Sequence, residues 1–235
     1  MNEEKIKITH IGYDNNGNKL IRVQGDTKEM HLFRYERDPK NLTRNYGSVF
    51  YPLFNMAKEA PEKVNPIMNL KGKKILDVGC GSGQFCWESV ELFGAKHAYG
   101  VDFASVASGF THGAEGPNTT FFDSHAKDVP LEKDSVDIAT SFLVLEHTNE
   151  EDIEQVFEKL YNITKEGWIF SIAHGQPTAT NLRVCSKPIK WWLSKMEKYI
   201  DEYWFYYPVT DEYKWGFGDN IGLSRVVCKL KKKND

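Results

Sequence analysis

The stretch Ile75 to Phe85, ILDVGCGSGQF, constrains what this chain can fold into more than any other segment, because it joins an apolar, strand-forming run to glycines at alternate positions. Ile75, Leu76 and Val78 suit a buried strand bounded by Lys73 and Lys74 on one side and by glycine on the other. Gly79, Gly81 and Gly83 adopt backbone angles closed to other residues and leave no Cβ to hold a ligand away. Gln84 to Phe93 then carries Phe85, Val90, Leu92 and Phe93, a set suited to a helix packed on one face. Strand, glycine loop and helix in that order place a ligand beyond the carboxyl end of the strand, at the crossover of an open α/β sheet.

A carboxylate follows at the distance a nucleotide site needs. His97 to Val101 reads as the next strand and ends in Asp102, roughly twenty residues beyond the loop, where an acidic side chain accepts from both ribose hydroxyls. Phe103 follows directly and is placed to lie against a base. The competing role for Asp102 is a helix N-cap, since Ala104 to Ala107 suits the start of a helix. The spacing GxGxG has Gln84 where the dinucleotide fingerprint GxGxxG has its third glycine, which disfavours a nicotinamide-dependent oxidoreductase.

With Asp77 inside the strand, DVGCGSG resembles motif I of the class I S-adenosylmethionine-dependent methyltransferases, in a form nearest to the small-molecule type 11-like group. Ser135 to Val144, SVDIATSFLV, resembles the fourth strand of that superfamily, preceded by a Val129-Pro130-Leu131 turn and followed by Leu145, Glu146 and His147. The resemblance covers Lys73 to about Thr148. It implies a doubly wound, seven-stranded, mostly parallel α/β sheet whose last strand is antiparallel, with S-adenosylmethionine as cofactor. The implied cofactor contacts are Asp77, Gly79, Cys80, Gly81, Gly83, Asp102 and Phe103, with Ser141 and Phe142 beside the methionine part and the sulfonium.

At the adenine end the chain departs from the pattern. Five residues before Pro130, where this group often has an Asp accepting from the adenine amino group, stands His125. A neutral imidazole nitrogen also accepts such a bond, depending on its tautomer. Asp123 is the alternative if the loop is shifted by two residues, and the main-chain amide of Ala126 is placed to meet the ring. A segment before motif I folds over the pocket in many relatives, which makes Arg44 and Tyr46 candidates for the cofactor carboxylate; an ordinary surface Arg and a packed Tyr are the competing readings.

The implied chemistry is an in-line displacement that needs alignment and exclusion of water. A poor nucleophile also needs a base. His147 and His174, each at the carboxyl end of a predicted strand, are the candidates, with Glu146 as orienting partner or base. No Asn/Asp-Pro-Pro-Tyr/Phe tetrapeptide follows the fourth strand, as it does in enzymes that methylate amino groups of nucleic acids and of glutamine, and no carboxylate set matches a metal-assisted site. The expected acceptor is a small molecule, attacked through oxygen or nitrogen; a sugar-linked metabolite suits the aromatic segment 188–217. Methylation of protein or RNA, and a non-catalytic binding or assembly module on the same fold, are the alternatives.

Elsewhere the chain is less specific. At 235 residues it suits one domain with an elaboration. A net charge of -3 argues against a broad nucleic-acid surface. A polar N-terminus and the lack of a long apolar run predict neither a leader nor a membrane span, and four cysteines without CxxC spacing predict thiols in a reducing compartment, the cytoplasm. Residues 1–45 form a β elaboration with strands IKITHIGY and KLIRVQG around Asn16-Gly17, a hairpin signal and a candidate homodimer surface. Residues 46–235 form the cofactor-binding domain. Pro52, Pro61 and Pro66 break Phe50 to Met68 into short helical pieces. Helices are expected over Glu151 to Tyr161 and Pro188 to Ile200, and strands over Trp168 to Ala173, Tyr203 to Tyr207 and Ser224 to Leu230. Trp192 and Phe205 are expected in the core, and Trp191, Tyr207, Tyr213 and Trp215 are candidates for the acceptor pocket.

Overall fold

A computed structural model describes residues 6–13, 19–25, 47, 50–104, 109, 111–174, 184–206 and 222–233. Arg44 and Tyr46, the hairpin turn at Asn16-Gly17, and Tyr207, Tyr213 and Trp215 lie outside these residues.

Two strands precede the main sheet. β1 (Ile6–Tyr13) and β2 (Lys19–Gly25) pair antiparallel from Ile6↔Gly25 to Tyr13↔Lys19, with an irregularity between His10 and Gly12. The chain then enters α1 (Tyr51–Glu59), followed by short 3-10 turns at Pro61–Lys63 and Pro66–Met68. Each of these three pieces carries its proline at the first or second helical position, where the missing N–H removes no bond.

The main sheet is built from β3 (Lys74–Val78), β4 (His97–Val101), β5 (Thr119–Phe122), β6 (Val136–Phe142), β7 (Thr164–His174), β8 (Ile200–Phe205) and β9 (Gly222–Leu230). Its seven strands run in the order β5-β4-β3-β6-β7-β9-β8. β3 pairs in parallel with both β4 and β6, so the winding direction reverses at its carboxyl end. β9 inserts antiparallel between β7 and β8. This is the doubly wound sheet with an antiparallel last strand that the motifs imply.

The strands are apolar on both faces because both are covered. Leu76, Ala139, Trp168, Phe170 and Val226 face a core that also holds Val156, Phe157, Leu160 and Ile163 of α3 (Ile153–Ile163) and Trp192 and Met196 of α4 (Ile189–Met196). Their sequence neighbours Ile75, Ile138, Ile169 and Val227 face the other side, with Phe54 of α1 and Phe85 of α2 (Gln84–Glu91). The period of two along each strand thus sorts side chains between two helical layers. Trp192 is fully buried, as expected, and T-stacks on Phe157 at 6.4 Å. Phe205 is only half-buried, because β8 is an edge strand with one neighbour. None of the described helices is long and apolar enough to cross a membrane.

Candidate cofactor and active site

The loop after β3 is held by its own backbone. Gly79 and Cys80 both donate to the carbonyl of Val101 at the end of β4, at 2.7 and 3.2 Å, and Gly83 donates to Cys80 O at 2.9 Å. Gly79 and Gly83 sit at φ +72° and +77°, in the left-handed region. A Cβ on Gly79 would stand 2.2 Å from Val144 Cγ2, and one on Gly83 would stand 2.6 Å from Phe121 Cζ. These two glycines therefore make room for neighbouring side chains, a demand that spacing alone does not reveal. The Cys80 side chain turns back toward Gly100 and Cys86 in a small buried cluster, so its contribution at the loop surface is backbone.

Asp102 joins the ends of β3 and β4. Its Oδ2 accepts from the Gly81 N–H at 3.2 Å and its Oδ1 from the Ala104 N–H at 2.9 Å. The second bond is the cap-like role, and the first ties the carboxylate to the glycine loop. A carboxylate oxygen carries two lone pairs, so a group of this type can accept from vicinal hydroxyls as well as from main-chain N–H groups. The loop N–H groups, the turn and this carboxylate suit a ribose-bearing cofactor.

Beneath the loop, Asp77 is almost fully buried and its Oδ1 accepts from Thr140 Oγ1 at 2.8 Å, across the Asp77↔Thr140 register of β3 and β6. Burial pushes its pKa up to about 7; the Thr140 hydrogen bond opposes this and the nearby charge of Asp102 adds to it. No sequence signal marks Thr140, since a strand-internal Thr acquires this role only through the register of β3 and β6.

Beyond Asp102, Phe103 and His125 lie with parallel rings, 5.7 Å between centroids and 5° between planes. His125 caps the 3-10 turn Ala126–Asp128, its Nδ1 accepting from the Lys127 N–H at 3.3 Å. Ala126 opens that turn, where an N–H has no partner within the turn itself. Asp123 is exposed just past β5, and His125 is the one of the pair that stacks on Phe103.

At the end of β6, Ser141 is buried between Val78 and Phe170. Phe142 packs against Phe85, Phe50 and the backbone of Gly47, with ring distances of 4.9 Å to Phe85 and 5.5 Å to Phe50. The structure thus places its ring in the aromatic layer under α1 and α2. Leu143 takes φ +62°, a strained angle for a branched side chain, and its N–H donates to Ser171 O at 2.9 Å. That bend carries the chain into Val144, which packs over Gly79. No sequence signal marks Leu143, because leucine carries no preference for that angle.

A family model described as a methyltransferase domain matches residues 75–167. Residues 75–167, from β3 into β7, thus resemble a methyltransferase domain. The chain is similar to phosphoethanolamine N-methyltransferase 1 of Zea mays, 30% identical over 115 residues that cover 47% of this chain and 22% of that protein. It is similar also to the ubiquinone biosynthesis O-methyltransferase of Paraburkholderia phymatum, 30% identical over 126 residues, 52% of this chain and 53% of the other. The chain spans about half the length of the second relative and about a fifth of the first. Among solved structures, phosphoethanolamine N-methyltransferase 2 of Haemonchus contortus in complex with S-adenosyl-L-methionine shares the fold with a TM-score of 0.62 at 13% identity, covering 97% of this chain and 69% of that one.

The candidate catalytic groups follow Val144. Glu146 is fully buried, and its Oε1 accepts from the Ala173 N–H at 3.2 Å while its main-chain oxygen accepts from Cys185 N–H at 3.0 Å. It therefore ties the turn after β6 to the end of β7. His147, next in the same 3-10 turn, is half-buried. The backbone of His174 ends β7, paired with Gly222. Trp191 lies on α4 between the ammonium groups of Lys187 and Lys195, at 5.5 and 5.4 Å from its ring centroid. Among the described residues no group of three or more His, Cys, Asp and Glu side chains is arranged to hold a metal ion.

Proposed function

We propose that this chain transfers a methyl group from S-adenosylmethionine to an oxygen or nitrogen of a small-molecule acceptor. The observation that carries the reading is Asp102, at the end of β4, bonded to the Gly81 N–H of the glycine loop at the point where the sheet reverses direction. S-adenosylmethionine, when bound, supplies a methyl group activated by its positive sulfur. The chain's own residues do the rest. The loop N–H groups and Asp102 would hold the ribose, Phe103 and His125 the base, and Asp77 would lie under the amino-acid end. His147, half-buried behind Glu146, is the side chain we assign to receive the acceptor's proton, with Glu146 fixing the turn that carries it. The small-molecule class is supported by the phosphoethanolamine and ubiquinone enzymes that the domain resembles.

Titration calorimetry tests the cofactor. Binding of S-adenosylmethionine or S-adenosylhomocysteine is expected at micromolar Kd, about -8 kcal/mol. Absence of heat with both would overturn the proposal.

A further inference from the structure

Resting on that cofactor reading, we infer that His125 meets the purine as a hydrogen-bond donor, so that the site tolerates a 6-oxopurine where a carboxylate would enforce the 6-amino group. The ribose position at Asp102 leads straight to Phe103, so a base joined to that ribose falls among the side chains at the carboxyl ends of β4 and β5. There the ring of His125 lies parallel to that of Phe103 at 5.7 Å.

The state of the imidazole follows from its cap. A main-chain N–H can only donate, and the Lys127 N–H points at Nδ1 from 3.3 Å. Nδ1 must therefore carry the lone pair, and in the neutral ring the proton sits on Nε2. The remaining polar atom of His125 is thus a donor. Burial, the largest influence, lowers its pKa and favours this neutral form; Lys127 acts in the same sense, while Asp152 and Asp128 act against it. The turn that carries the ring is also fixed in place. Asp128 N–H and Ser124 Oγ both donate to His125 O at 2.9 Å, and Lys127 Nζ bridges to Asp152 Oδ1 at 2.5 Å beside α3.

An acceptor-only carboxylate at this place would bond a 6-amino group and repel a 6-oxo group. A donor reverses that logic, since it bonds O6 or a bare ring nitrogen and gains nothing from the amino group. The chain's departure at position 125 therefore changes which edge of the base is read.

The test compares S-adenosylhomocysteine with S-inosylhomocysteine, its 6-oxo counterpart, by titration calorimetry on the wild-type chain and on His125→Asp. Asp is among the best N-caps, so this variant keeps the acceptor for the Lys127 N–H; circular dichroism checks that it folds. The wild type is expected to bind the two within about fivefold, and H125D to prefer the adenosyl form by about tenfold or more beyond the wild-type ratio. A wild-type preference for the adenosyl form above about fivefold overturns the inference and leaves the cofactor reading standing, as does an unchanged ratio in folded H125D. No binding of either compound overturns both.

Discussion

Asp77 and Thr140 face each other across β3 and β6 and share a 2.8 Å hydrogen bond in the buried interior below the glycine loop. The carboxyl group is raised from 3.8 to about 7, so the folded chain holds a proton that the unfolded chain releases at lower pH. The stability this confers is fully present below the unfolded value and is lost as pH rises through about 7. Denaturant unfolding of the wild type should accordingly weaken between pH 5 and pH 8, by something on the order of 1–4 kcal/mol. Asp77→Asn should flatten that slope. An identical slope in the variant would assign it to other groups.

The same proton reports on the cofactor. A cation placed over Asp77 favours the carboxylate, so binding of S-adenosylmethionine near pH 6.5 should release part of a proton. Calorimetry in buffers of different ionisation enthalpy measures the release, and D77N should abolish it. Equal heats in all buffers would place the positive charge elsewhere.

Removal of the Asp102 carboxylate is expected to act on both binding and the loop. Asp102→Ala leaves the N–H groups of Gly81 and Ala104 without their acceptor and should cost about 1–3 kcal/mol of stability. Affinity for S-adenosylhomocysteine should fall about a hundredfold or more, and Asp102→Asn, which keeps one oxygen, should lose less. Undiminished binding by folded D102A would rule the carboxylate out as a ribose ligand.

Gly79→Ala should destabilise by about 3 kcal/mol or more, since its Cβ would overlap Val144 at a positive φ. Val144→Ala, itself mildly destabilising, should restore part of the loss. Strict additivity of the two changes in thermal melts would mean that the two side chains do not compete for that space.

Glu146 separates a holding role from a reacting one. Glu146→Ala should lower stability by about 1–3 kcal/mol because the Ala173 N–H loses its acceptor, while Glu146→Gln should retain most of it. A Gln variant as unstable as the Ala variant would show that the charge, and not the acceptor oxygen, secures the end of β7.

The parts of this architecture with a strong local pattern are legible in the sequence. β1 and β2 follow from alternation around Asn16-Gly17, and the stripe Ile153, Val156, Phe157 and Leu160 becomes the buried face of α3. β7 begins at Thr164, several residues before Trp168, because pairing with β6 from Val136↔Thr164 prolongs the strand beyond its apolar centre, and β9 joins from Gly167. β5 has no such signal. Thr119–Phe122 is four residues long and half-buried at a sheet edge, with neither alternation nor a continuous apolar run. At the site, residue type discloses Gly79 and Asp102 but not the reasons for them. The crowding by Val144, the bend at Leu143 and the bond from Thr140 exist only once β3 and β6 lie side by side.

The glycine loop is bonded at Gly79, Cys80, Gly81 and Gly83 to partners within the chain, so its shape is held by the chain's own bonds. Little chain entropy remains to be lost there on binding. Cofactor capture should then proceed at the rate of encounter, and differences between the methylated and demethylated forms should show in how long each stays.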